Sequence, residues 1–145
     1  MSDPAIGNEE RLRTLVVDQM PEAAIVADGE GVIRLWNRGA ETLFGFTEAQ
    51  ALGASLDLII PEKLRAGHDA GFQRAVQTGR MKLAGQVMTT RATHQDGRRL
   101  YVDFSFTMLH AEDGAMAGVL AIGRDATARY LEQRGQRAAP PAANG

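Results

Sequence analysis

The spacing of apolar residues changes several times along the chain, and each change marks an element. Leu12, Leu15 and Val16 recur at helical intervals after Asn8, a residue type that caps helices, and Pro21 closes the segment; this predicts a helix from 9 to 19. At Ala23 the pattern becomes a short apolar run, ended by the hairpin turn signal Asp28-Gly29-Glu30-Gly31. Residues 31–37 then alternate, with Val32, Arg34 and Trp36 on one face and Ile33 and Leu35 on the other. Asn37 opens a short helix carrying Ala40, Leu43 and Phe44 and stopped by Gly45; a second brief helix lies between a Thr47 cap and Gly53. Leu56 to Ile60 is apolar, and Pro61 opens the longest helical pattern, 62–77, with Leu64, His68, Phe72 and Val76 in one stripe and Thr78-Gly79 as its stop.

Three strand-like segments follow. Residues 82–93 lead to the turn Gln95-Asp96-Gly97-Arg98. Residues 100–109 alternate, with Leu100, Val102, Phe104, Phe106 and Met108 facing one way and Asp103, Ser105 and Thr107 the other. Glu112-Asp113-Gly114 turns into 115–124, and Asp125-Ala126-Thr127 caps a last amphipathic stretch to about Arg134. A hairpin, a run of helices and a three-strand meander make an α+β domain: a five-stranded antiparallel sheet with helices on one face and a flanking helix at each end. The expected organisation is disorder over 1–8, a flanking helix over 9–20, one domain over 21–127, a C-terminal helix over 128–134, and a disordered Ala/Pro/Gly-rich tail over 135–145.

Composition narrows the function. A chain of 145 residues that is 44% hydrophobic and 23% charged is one ordinary globular domain. Its net charge of −2 removes the main electrostatic argument for nucleic acid or an acidic membrane as partner. The absence of cysteine excludes a disulfide scaffold, a thiol nucleophile, a thiolate zinc site and a cysteinyl flavin adduct. No apolar run is long enough to span a bilayer and the N-terminus has no signal-like apolar region, so a cytoplasmic location is expected. No triad, metal-finger spacing, Walker loop or carboxylate pair is present, so no enzymatic activity is expected.

Certain words recur in order: Pro21-Glu-Ala-Ala-Ile-Val-Ala-Asp28 into Gly31-Val-Ile-Arg-Leu-Trp-Asn37, then Ala40-Glu-Thr-Leu-Phe-Gly-Phe46, Ala51-Leu-Gly53, Asp96-Gly97 and Gly123-Arg-Asp-Ala-Thr127. In this order they resemble the PAS sensor domain, over roughly 9–134. The segment from Ile60 through His68 to Arg74 is similar to the long helix of the haem-binding PAS domains of oxygen-sensing histidine kinases and a direct-oxygen-sensor phosphodiesterase. That resemblance implies haem b as cofactor and His68 as the proximal iron ligand. It also implies Arg74 and Lys82 as residues near the haem propionates, and Gly85 matches a shared glycine. Two departures stand out: Met88 occupies the place of the distal Arg of the oxygen sensors, and Gln86 that of the phosphodiesterase's methionine ligand.

Each candidate has a plainer role too. A histidine on an apolar stripe is either a metal ligand or a core residue bonded to a backbone carbonyl. Arg74 and Lys82 suit a solvated helix face and loop equally well. Phe104 and Phe106 either flank a porphyrin or fill a core. Met88 is either a sixth ligand or a filler. His94 and His110 are expected to be solvent-exposed. Trp36-Asn37 also occurs in flavin-binding PAS domains, which makes a flavin such as FAD a second cofactor candidate.

The expected function is a PAS sensory domain that binds haem b, senses CO, NO, O₂ or redox state, and signals to a partner protein. With Met88 in place of the Arg, CO, NO or redox sensing is expected over oxygen sensing. The alternatives are a cofactor-free dimerisation or docking module and a flavin redox sensor. The helix from Asn8 to Gln19 is expected to pair with a second copy. No kinase, cyclase or DNA-binding segment is recognisable in these residues, so output is expected to pass to another segment or chain.

Overall fold

A computed structural model describes residues 5–81 and 85–138. Ten main elements follow one another: α1 (Glu9–Gln19), β1 (Ala23–Ala27), β2 (Ile33–Trp36), α2 (Arg38–Phe44), α3 (Glu48–Ala51), α4 (Glu62–Thr78), β3 (Met88–Thr93), β4 (Arg99–His110), β5 (Met116–Asp125) and α5 (Thr127–Ala138), with a 3₁₀ turn at Leu56–Leu58. The five strands form one antiparallel sheet in the order β2-β1-β5-β4-β3. The expected α+β fold is therefore present.

Capping chemistry sets the short helices. Asn8, Asn37 and Thr47 each accept a bond from a first-turn N–H, and Thr47 and Gln50 complete a reciprocal box. Gly45 ends α2 at φ 82°, where a side chain would also strike the His94 ring.

Register defines the inner face of the sheet, because residues directly opposite in an antiparallel pair point the same way. One row runs Trp36, Ile25, Ala121, Phe106; the next runs Ala23, Gly123, Phe104, Met88. At one end this face is filled. Phe44 of α2 lies between Trp36 and Phe104, with ring centroids 5.5 and 6.4 Å away. Phe104 also lies across Gly123, where a Cβ would sit 2.7 Å from its ring.

Several expectations are corrected. Ile33 and Trp36 face the same way, not opposite ways, because a bulge at Arg34 lets Ala27 pair with Ile33 while Val26 pairs with Leu35. The displaced Arg34 turns to Asp28, 2.8 Å away. Strand β3 begins at Met88 rather than at 82, and Gln86 is exposed before it. His94 is not solvent-exposed: its side chain keeps 14% of its surface and its Nδ1 accepts from the Asp96 N–H at 3.1 Å. His110 is exposed as expected. Helix α5 continues to Ala138, beyond the expected end at 134.

Candidate cofactor site

Helix α4 carries the residue on which the sequence argument turned. Arg65 fastens its start, donating to the carbonyls of Ile60 at 3.0 Å and Asp57 at 3.3 Å. Gly79 ends it in the left-handed conformation at φ 70°. Of its seventeen residues only Ala75 is buried. Of the stripe read from the sequence, His68, Phe72 and Val76 are half-buried. Val76 approaches Gly29 and Phe72 approaches Gly31, so the helix runs past the β1–β2 turn. Leu64, at the first turn of the stripe, is exposed.

His68 lies on this stripe, its ring stacked on Phe72 at 6.0 Å between centroids. The side chain is 36% exposed, yet Nδ1 is buried and has no hydrogen-bond partner. The Asp69 carboxylate, 3.8 Å away, is too distant to accept a bond. The expectation of a core histidine bonded to a carbonyl is not met. A buried imidazole nitrogen without a partner is costly.

Beyond the end sealed by α2 the inner face is apolar and incompletely covered. Phe106, Ala121, Leu58, Ile60 and Met88 are all half-buried, in contrast to the sealed end under α2. The structure therefore gathers Met88, Phe104 and Phe106 on one face. Met88 is directly opposite Phe104, and Phe106 is stacked on Phe104 at 5.5 Å. Phe104 is buried in the core cluster, so of the two phenylalanines Phe106 borders the open part. Arg74 is not gathered with them: six residues beyond His68, it lies about 240° round the helix and is exposed. Lys82 lies outside the described residues.

The chemistry of this donor set suits a macrocycle that brings most of the metal's ligands with it. His68, Met88 and Phe106 are the described residues that could hold haem b, for which a single protein histidine suffices. The residues that pointed to flavin are engaged elsewhere. Trp36 Nε1 donates to the Phe46 carbonyl at 2.9 Å. Asn37 accepts from the N–H groups of Ala24 and Ala40 and donates to the carbonyls of Val17 and Glu22. Sequence reasoning saw Asn37 as a helix start and as part of a flavin-like word, whereas it joins α1, β1 and α2.

The outer face carries a second arrangement. Arg129 of α5 grips Asp103 of β4 with both terminal nitrogens, at 2.6 and 2.9 Å, and Thr89 of β3 donates to the same carboxylate. The Arg129 guanidinium holds the Asp103 carboxyl below the usual range, helped by Thr89. Beside it Tyr130 stacks on Tyr101 at 3.8 Å. Alternation had placed Asp103 outward, but its partner on α5 left no signal in the pattern.

The family model described as the PAS fold matches residues 17–131. Among individual proteins, the chain is 34% identical over 89 residues to the sensor protein FixL of Bradyrhizobium diazoefficiens, a match covering 61% of the chain. It is 22% identical over 121 residues to the oxygen sensor protein DosP of Escherichia coli, covering 83% of the chain. The matches span only 17% and 15% of the lengths of these two relatives. Among solved structures, a PAS domain from Colwellia psychrerythraea superposes with a TM-score of 0.73 at 26% identity, over 84% of this chain and 100% of that one. An RNA-binding light-oxygen-voltage receptor gives 0.70 at 20% identity, over 94% of this chain and 40% of the other, a likeness of fold alone. The matched region, the strand order and the sensor relatives agree: the chain belongs to the PAS fold family.

Proposed function

We propose that this PAS domain is a sensory module that binds haem b between α4 and the inner face of the sheet and responds to a diatomic gas or to redox state. The single observation that carries this reading is the buried, unpartnered Nδ1 of His68 on the half-buried stripe of a sparsely packed helix. His68 would be the axial ligand, Phe106 and Met88 would border the group, and the resemblance assigns Arg74 and Lys82 to its propionates. Haem supplies an iron centre whose ligation or oxidation state changes with the signal. Met88 offers no charged donor to a bound gas, which favours CO, NO or redox change over O₂. The similarity to a protein named an oxygen sensor supports the class of signal rather than the particular gas. The domain itself carries out no reaction in this reading; it biases a partner protein.

The exposed Leu12 and Val16 of α1, at 41% and 57%, support self-association through that helix. A cofactor-free docking module is the second reading, favoured by the filled packing of Phe44, Phe104 and Trp36. Among the described residues no helix is long and apolar enough to cross a membrane, in keeping with a cytoplasmic module.

Absorption spectroscopy after reconstitution with hemin tests the proposal. The wild type should show a Soret band that survives gel filtration, and His68→Ala should lose it while keeping its far-UV circular dichroism. A colourless wild type overturns the haem reading, and a retained, unchanged spectrum in His68→Ala overturns the ligand assignment.

A further inference from the structure

The outer seam between α5 and the β3–β4 pair has an unbalanced charge. Arg91 lies directly opposite Tyr101 in the ladder, and Arg99 lies two residues before Tyr101 on the same face. Arg134 follows Tyr130 by four residues, one turn along the helix from the Tyr101–Tyr130 stack. Among the described residues none of these three arginines makes an ion pair, although every other charge on this seam is engaged. The one carboxylate here, Asp103, is taken up by Arg129 and Thr89. Glu132 stands about 200° round α5 from Tyr130 and faces away. A chain with a net charge of −2 thus collects uncompensated cations at one place.

Two observations point to a ligand rather than to a solvated surface. The Arg91 Nε is buried and has no hydrogen-bond partner, a donor that ordinary surface arginines keep in water. The Tyr101 phenol, in a residue only 4% exposed, is held below its ordinary range by Arg99, with Arg134 and Arg91 adding to the effect. Several guanidinium groups around one phenol match the charge and acceptor array of a phosphate dianion better than a single carboxylate.

We propose that this seam is a binding site for a small soluble phosphorylated molecule, held by Arg91, Arg99 and Arg134 around Tyr101. Because Arg91 and Arg99 come from the sheet and Arg134 from the helix, the anion bridges the two. It replaces mutual repulsion across the seam with shared attraction and holds α5 against the strands. The site lies on the face of the sheet opposite His68 and needs no haem.

Calorimetric titration with inorganic pyrophosphate, at ionic strength matched with sodium chloride, tests it. The wild type should bind saturably, and near-UV circular dichroism should report a tightened tyrosine stack. Arg91→Gln and Arg134→Gln should each weaken binding roughly tenfold, as expected for loss of a charged hydrogen bond, while Arg11→Gln on α1 should not. Arg91→Lys keeps the charge but loses the fork, and should recover only part of the affinity. Absence of saturable binding in the wild type, or equal binding by folded Arg91→Gln and Arg134→Gln variants, would overturn the proposal.

Discussion

Met88 stands directly opposite Phe104 across the β3–β4 ladder, at the point where the inner face passes from buried to half-buried residues. Phe104 is locked between Phe44 and Phe106, whereas Met88 starts an edge strand and is only half-covered. Its thioether is soft and flexible enough to adjust to a cofactor. In haem-loaded protein the ferrous wild type should be six-coordinate and low-spin, and Met88→Ala should be five-coordinate and high-spin. The substitution should lower stability by about 1 kcal/mol, as is common for a partly buried side chain. A wild-type ferrous spectrum that is already five-coordinate would make Met88 a packing residue.

Asn37 is the buried polar residue at the junction of α1, β1 and α2. Asn37→Ala strands two N–H groups and two carbonyls in a place that water reaches poorly. A loss of about 3 kcal/mol is expected from the cost of unpaired buried groups, read as a lower urea midpoint with an unchanged slope. Asn37→Asp should also destabilise, since its second oxygen would face the Val17 and Glu22 carbonyls. A midpoint within experimental error of wild type would show that these bonds are replaceable.

Asp103 makes the docking of α5 sensitive to acid. Its carboxyl titrates lower in the folded protein than in the unfolded chain because Arg129 and Thr89 favour the charged form. The stabilisation is therefore complete above the unfolded value, about 4, and is lost as pH falls through the lower folded value. The tyrosine near-UV signal of the Tyr101–Tyr130 stack should be flat from neutral pH to about 5 and decline below about 4. Asp103→Asn should reduce that signal at neutral pH and remove much of its acid dependence. An identical pH profile in the variant would detach the pair from the helix.

Leu12 and Val16 are exposed on α1, a helix with no buried residue of its own. Sedimentation equilibrium should show a concentration-dependent dimer that Val16→Glu weakens at least tenfold, while thermal stability of the monomer stays unchanged. A wild type that remains monomeric at millimolar concentration would rule out this use of the helix.

The elements that follow a single repeat were legible in the sequence. Strand β4 shows its faces through strict alternation from Leu100 to Met108, and α2 shows its ends through Asn37 and Gly45. What escaped depends on contacts between distant segments. The bulge at Arg34 inverts the faces of β2, and its cause is a pairing offset against β1 that no local period encodes. His94 looked like a turn residue, and is half-buried because the β3–β4 turn docks on the end of α2, where the Gln95 N–H donates to the Phe44 carbonyl. At the candidate site His68 and Phe72 were readable as a stripe, but the missing partner of Nδ1 was not, since it depends on what α4 fails to touch. Arg74 was placed by resemblance, and it is exposed on α4 about 240° round the helix from His68.

The thin attachment of α4 separates two kinds of stability. A helix held mainly by Ala75 and the half-buried Phe72 and Val76 should open as a unit with a smaller free energy than the sheet behind it. Its amide protons should then exchange with solvent well before those of β4 and β5, without global unfolding. A molecule entering beneath α4 would meet a pre-existing breathing motion rather than a closed core, and its binding would appear first as slowed exchange along Glu62–Thr78. Evolution could therefore change what lies under this helix with little effect on whether the domain folds.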